Sequence, residues 1–107
     1  MLAVSLENEV FRALADPTRR AVYEQLARGE ATVKDLTKKF DVSQPAISQH
    51  LAALRKGGLV AERREGRFTY YRLEPAGLRP LVNWIDHYQA FWSERLGKLK
   101  ALLEDLE

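Results

Sequence analysis

The chain has no cysteine. That excludes disulfides, thiolate metal sites and thiol redox sensing by its own residues. It has no apolar run of the about 18 residues needed to span a bilayer. Its first residues, Met1-Leu2-Ala3-Val4-Ser5-Leu6, lead into acidic positions and lack the basic start and long apolar stretch of a secretory leader. The expectation is therefore a soluble, cytoplasmic protein with no membrane partner. Histidine is scarce, with only His50 and His87. No nucleophile–base–acid set, glycine-rich phosphate loop or metal cage can be assembled, so an enzyme is not expected, nor is a cofactor. Repeats, low-complexity tracts and linkers are also missing, and at 107 residues one domain is expected.

Net charge is only +2, so distribution carries more information than total. Arg55, Lys56, Arg63, Arg64 and Arg67 cluster against Glu62 and Glu65, whereas Glu104, Asp105 and Glu107 collect at the C-terminal end. Glycine and proline fall at element boundaries. A first helix is expected over about Leu6–Leu14. Asp16-Pro17 then reads as an N-cap with proline at the first helical position, opening a second helix to about Arg28. Its apolar residues are Ala21, Val22, Tyr23 and Leu26. Thr32 with Asp35 reads as a capping box for a third helix carrying Val33, Leu36 and Phe40. After the short Asp41-Val42 turn, Ser43 caps a fourth helix with Pro45 in its first turn and Ile47, Leu51 and Leu54 as its buried stripe. Gly57-Gly58 ends it. Residues 59–65 and 68–73 read as two strands joined at Gly66-Arg67, where glycine permits the positive φ of a tight turn.

Pro75 ends the second strand, and Pro80 opens a long last helix. Leu81, Ile85, Tyr88, Trp92, Leu96, Leu99, Leu103 and Leu106 recur in steps of four and three along it, a near-heptad seam. At 1.5 Å per residue the helix runs about 40 Å, too long and too apolar to be covered by so small a core. A second copy of the chain is the expected cover, and Leu6, Phe11, Leu81, Ile85, Tyr88, Trp92, Leu96 and Leu99 are the expected pairing surface. Trp84, Tyr88, Phe91 and Trp92 also suit a ligand pocket, but interface and core packing is the preferred reading. The division is a core over 3–79 and a pairing helix over 80–107 within a single 1–107 domain.

Two helices across a short turn, followed by a basic hairpin, define a mainly α fold with a small β-hairpin: a winged helix-turn-helix. In that arrangement the second helix of the pair enters a major groove about 12 Å wide. With Ile47, Leu51 and Leu54 inward, Ser43, Gln44, Pro45, Ser48 and Gln49 lie on the outer face. Glutamine can pair with adenine N6 and N7, and serine with several base edges. Arg55, Arg63, Arg64, Arg67 and Lys34 are candidates for the phosphate backbone or an adjacent minor groove. Neighbours on a strand face opposite ways, so Arg63 and Arg64 cannot serve DNA equally. Arg67, at the tip, is the strongest wing candidate. His50 borders the buried stripe and suits packing or a phosphate contact better than a metal. The expected partner is double-stranded DNA. The competing reading is a winged-helix module that binds protein and not DNA.

The segments Leu14-Ala15-Asp16-Pro17-Thr18-Arg19-Arg20, Ser43-Gln44-Pro45-Ala46-Ile47-Ser48-Gln49-His50-Leu51 and Gly57-Gly58-Leu59-Val60 resemble the ArsR family of small bacterial winged-helix repressors. The resemblance spans nearly the whole chain. It implies a homodimer of four helices, a two-stranded wing and a final helix, with operator binding and repression relieved by an effector. It also marks departures. Where metal-sensing members carry a Glu-Leu-Cys-x-Cys-Asp-Leu box, this chain has Glu30-Ala31-Thr32-Val33-Lys34-Asp35-Leu36. Thr32 and Lys34 replace the cysteines, and a hydroxyl and an ammonium make no soft-metal site. On the last helix Asp86, His87 and Glu104 lack the second histidine of the other ligand set. Adjacent Asp86 and His87 also diverge by about 100° around the helix. The resemblance is to cysteine-free members, with an effector unknown or absent.

Overall fold

The computed structural model describes residues 2–106, with side chains over 8–89 and 91–106. The element order is α1 (Leu2–Ala15), α2 (Pro17–Leu26), β1 (Ala31–Thr32), α3 (Val33–Lys39), α4 (Gln44–Lys56), β2 (Val60–Glu65), β3 (Phe68–Leu73), a 3₁₀ turn (Pro75–Leu78) and α5 (Arg79–Asp105). The three helix starts read from the sequence are formed as capped termini. The Arg19 amide donates to Asp16 Oδ1 at 2.9 Å, and the Ala46 amide donates to Ser43 Oγ at 3.2 Å. At α3 the box is reciprocal: the Asp35 amide donates to Thr32 Oγ1 at 3.1 Å and the Thr32 amide donates to Asp35 Oδ2 at 3.3 Å. Each cap satisfies a backbone donor that the first helical turn leaves without a partner.

The core is built from one stripe of each of the first four helices. Val10 and Ala13 of α1, Val22 and Leu26 of α2, Leu36 of α3 and Ile47, Leu51 and Leu54 of α4 are buried, joined by Leu59 and Val60 where the chain enters the wing. Ile47, Leu51 and Leu54 are fully inaccessible, so the rotation of α4 about its axis is set by the core. Tyr23, Val33, Phe40, Tyr71, Leu73 and Leu81 pack around this cluster half-buried.

The wing differs from a simple hairpin. It is a three-stranded antiparallel sheet in the order β1-β3-β2, with Ala31 opposite Tyr71 and Thr32 opposite Tyr70. A two-residue strand has no readable alternation of its own, and only its partner on β3 defines it. The other pairing holds Val60 against Leu73 through Glu65 against Phe68. Gly66 closes the turn with φ +62°, a conformation that costs a residue with a Cβ about 1–2 kcal/mol.

The second helix stops at Leu26, two residues short of the expected Arg28, with Ala27 as its cap. The last helix begins at Arg79, after a 3₁₀ turn in the segment expected to be a break. From there α5 projects away from the core. The Cα radius of gyration is 17.4 Å with a longest extent of 57 Å, against about 13 Å expected for a compact chain of this size. Among the described residues no helix is long and apolar enough to cross a membrane.

Candidate nucleic-acid interface

The helix-turn-helix pair is α3 and α4, joined through Phe40-Asp41-Val42-Ser43. With its apolar stripe fixed inward, α4 turns Gln44, Pro45, Ser48, Gln49 and Ala52 outward, all exposed. Ser43 is exposed as well; its Oγ accepts the cap hydrogen bond from the Ala46 amide, which leaves its O–H as a donor. No carboxylate lies on α4, so its polar face does not repel a phosphate backbone. Lys34 is exposed on α3, and that helix ends on Lys38 and Lys39.

His50 is placed differently from its neighbours. Its ring is half-buried, and Nδ1 is enclosed with no hydrogen-bond partner among the described residues. It lies near the Asp16 carboxyl, which is held below the ordinary carboxylate range by the hydrogen bond from the Arg19 amide first and by the charge of His50 to a lesser degree. The structure thus brings His50 towards the α2 N-terminus, at the edge of the reading face.

Strand alternation sorts the wing arginines. Val60, Glu62 and Arg64 share one face of β2, and Val60 is buried on it. Glu62 accepts an ion pair from Arg55 of α4 at 2.9 Å, so this is the face towards α4. Arg64 follows on the same side, and Arg67 sits exposed at the tip beside Gly66. Arg63 points the other way. Its Nε and one terminal nitrogen engage both oxygens of Glu30 at 3.3 and 2.6 Å, and the other terminal nitrogen engages Glu65. Its guanidinium carbon lies 4.7 Å from the Tyr70 ring centroid. These hydrogen bonds hold Glu30 below the ordinary carboxylate range and raise the already high pKa of Arg63. Of the sequence candidates, Gln44, Pro45, Ser48, Gln49, Arg64, Arg67 and Lys34 remain open to solvent, while Arg55 and Arg63 are engaged by carboxylates. Glu30 was not singled out as a wing partner by its own sequence neighbourhood.

The expected pairing surface is a continuous apolar exposure. Ile85, Trp92, Leu96 and Leu99 are 50, 43, 56 and 49 % accessible, with Tyr88 at 37 %. Phe11 of α1 meets Trp84 edge-on at 5.7 Å, and Trp84 leans on Tyr88 at 5.1 Å, continuing the surface across two helices. Leu81 instead packs half-buried against the core at the root of α5. The side chain of Leu6 lies outside the described residues. Between Trp84, Ile85, Gln89, Trp92, Ser93 and Leu96 runs a groove of about 400 Å³. At the third helix, Thr32 is consumed as a cap and Lys34 is solvent-facing. Among the described residues no group of three histidine, aspartate or glutamate side chains converges as a metal site.

A buried-stripe reading helix, a preceding helix across a short turn and a basic wing define a winged helix-turn-helix transcriptional regulator. Residues 16–62 match the model of the bacterial regulatory proteins of the arsR family. The chain is 38 % identical over 78 residues to the transcriptional repressor SdpR of Bacillus subtilis, covering 73 % of this chain and 87 % of that protein. Its structure resembles an ArsR-like transcriptional regulator from Rhodococcus, with a TM-score of 0.77 at 31 % identity over 95 % of this chain and 96 % of that one. It also resembles the homodimeric winged helix-turn-helix DNA-binding domain of a possible ArsR-family regulator from Mycobacterium bovis. There the TM-score is 0.66 at 32 % identity, over 79 % of this chain and 82 % of that one. The chain belongs to the arsR family of bacterial regulatory proteins.

Proposed function

We propose that this regulator is a homodimeric, sequence-specific DNA-binding repressor acting on a dyad-symmetric operator. The observation that carries the reading is the outward face of α4. Gln44, Ser48 and Gln49 stand exposed on a helix whose rotation is locked by three fully buried residues, with Arg64 and Arg67 on the wing beside it. In this reading the glutamines and Ser48 contact base edges, and Pro45 and Ala52 allow close approach. Ser43, Arg64, Arg67 and Lys34 bind or orient towards the phosphate backbone. Arg55 and His50 support the helix from its flanks. The apolar face of α5 pairs with a second copy, as in the homodimeric Mycobacterium bovis domain it resembles. A two-fold dimer then sets two reading helices about 34 Å apart, in successive major grooves, where it blocks polymerase. The protein acts where its DNA is, in the cytoplasm, and does so by occupancy, without catalysis.

The test is in vitro selection of the purified protein against random and genomic duplexes. A dyad-symmetric motif is the expected result. Absence of enrichment at low salt, with the folded dimer verified, would overturn the reading in favour of a protein-binding module.

A further inference from the structure

We infer that Glu30 and Arg63 are positioning residues for DNA binding: their ion pair sets the angle at which the wing meets the helix-turn-helix, and Arg63 does not itself contact DNA. The inference rests on the proposed reading in which the wing touches the duplex.

Three of the five N–H donors of Arg63, and the whole bidentate edge of its guanidinium, are already committed to carboxylates. Glu30 takes its fork through two nitrogens, Glu65 takes the third, and the Tyr70 ring lies against the guanidinium. Planar, bidentate pairing of this kind is what arginine provides and lysine does not. The route of the bridge is equally specific. It starts on β2, passes over Tyr70 of the middle strand β3 and ends on the residue immediately before β1. The next residue but one, Thr32, is the N-cap of α3. The pair therefore ties the far strand of the wing to the first helix of the reading pair.

A tether is needed there. Among the described residues, strand pairing joins the β2–β3 ribbon to that end of the fold at two positions, Ala31–Tyr71 and Thr32–Tyr70. An isolated two-stranded ribbon holds its geometry weakly in water. Both partners are partly solvated, with side chains 42 and 33 % accessible, so the bridge contributes little to global stability. Its effect is on the direction of the wing, and a small misdirection at the hinge moves Arg67 at the tip off its contact.

The alternative, in which Arg63 exchanges Glu30 for a phosphate on binding, predicts the opposite sign. Removing Glu30 would then free Arg63 and tighten binding. The experiment measures affinity for the selected operator duplex, and for a random-sequence duplex, across a salt series. It compares the native dimer with E30A, R63A and the E30A/R63A double variant, with R67A as a wing-contact control. E30Q, which keeps the shape of the side chain, is read beside E30A. Amide hydrogen exchange over β2 and β3 is followed without DNA.

E30A and R63A are each expected to weaken operator binding by roughly three- to thirtyfold, with the double variant no weaker than either single one. E30Q is expected to fall between E30A and the native protein. The log–log salt slope of R63A stays native, because no phosphate contact is lost, whereas R67A is shallower by about one. Exchange of wing amides is faster in both single variants. Tighter or unchanged binding by E30A, a slope reduced by about one in R63A, or native exchange in the wing overturns the inference. If neither R67A nor an R64A/R67A double variant changes affinity or slope, the wing does not touch DNA. That failure of the proposed reading removes the positioning role as well, and is told apart because exchange in E30A still accelerates.

Discussion

Gly77, in the 3₁₀ turn before α5, lies directly on the backbone of Gly58. A Cβ at Gly77 would sit 1.9 Å from the Gly58 carbonyl oxygen and 3.1 Å from the Leu59 Cα. Gly58 itself has φ +75°, and the Glu74 amide donates to the Leu59 carbonyl at 2.9 Å. The exit of α4, the entry of the wing and the root of α5 thus meet backbone to backbone.

Gly77→Ala forces that junction apart. A loss of about 1–3 kcal/mol is expected from overpacking of this kind. Gly58→Ala meets no atom but must hold a left-handed conformation, at about 1–2 kcal/mol. Chemical denaturation of the two variants checks both. Equal stability of Gly77→Ala and the native protein would show that the 3₁₀ turn is free to move.

Gln49→Ala and Gln44→Ala remove exposed side chains that make no hydrogen bond or ion pair among the described residues. The melting temperature is expected to stay native while discrimination at one base position per half-site falls by about 1–3 kcal/mol. Repeating the selection with each variant reads this directly. A uniform loss across all sequences would assign the glutamines to the backbone.

Trp92→Glu or Leu96→Lys places a charge in the exposed seam of α5. In a paired helix that charge is desolvated without a partner, so the dimer is expected to dissociate, with operator affinity lost alongside. Sedimentation velocity separates the outcomes: a variant that remains dimeric would place the interface elsewhere.

Stability in acid follows the carboxylates. Asp16 and Asp35 are held below the usual range chiefly by backbone amides at their helix starts, and Glu30 by the Arg63 hydrogen bonds. A depressed folded value means the folded state holds fewer protons than the unfolded one. The contribution is therefore complete above the ordinary carboxylate range and is lost as pH falls through the depressed values. Denaturation midpoints are expected to fall modestly below about pH 4, because all three carboxylates are solvent-screened, and less in Asp16→Asn. A native pH profile in that variant would remove the Asp16 cap from the explanation.

What the sequence determined by itself was whatever depends on near neighbours. Asp16, Thr32 and Ser43 were legible as caps because the amide each accepts from lies three residues away. Ile47, Leu51 and Leu54 were legible as a buried stripe because helical periodicity is local. The unpartnered α5 seam was legible because its length exceeds what the core can cover. The tertiary structure alone decided the rest. Strand β1 exists only through Tyr70 and Tyr71. Gly77 has no room for a side chain only because Gly58 lies against it. Arg63 and Arg64, equivalent in sequence, were separated by which face of β2 carries the buried Val60, and Arg63 was assigned by a glutamate 33 positions upstream. Chain closure over such distances leaves no pattern in a window of sequence, because the partner is chosen by the packing of α2, α3 and the sheet and not by the residues beside it.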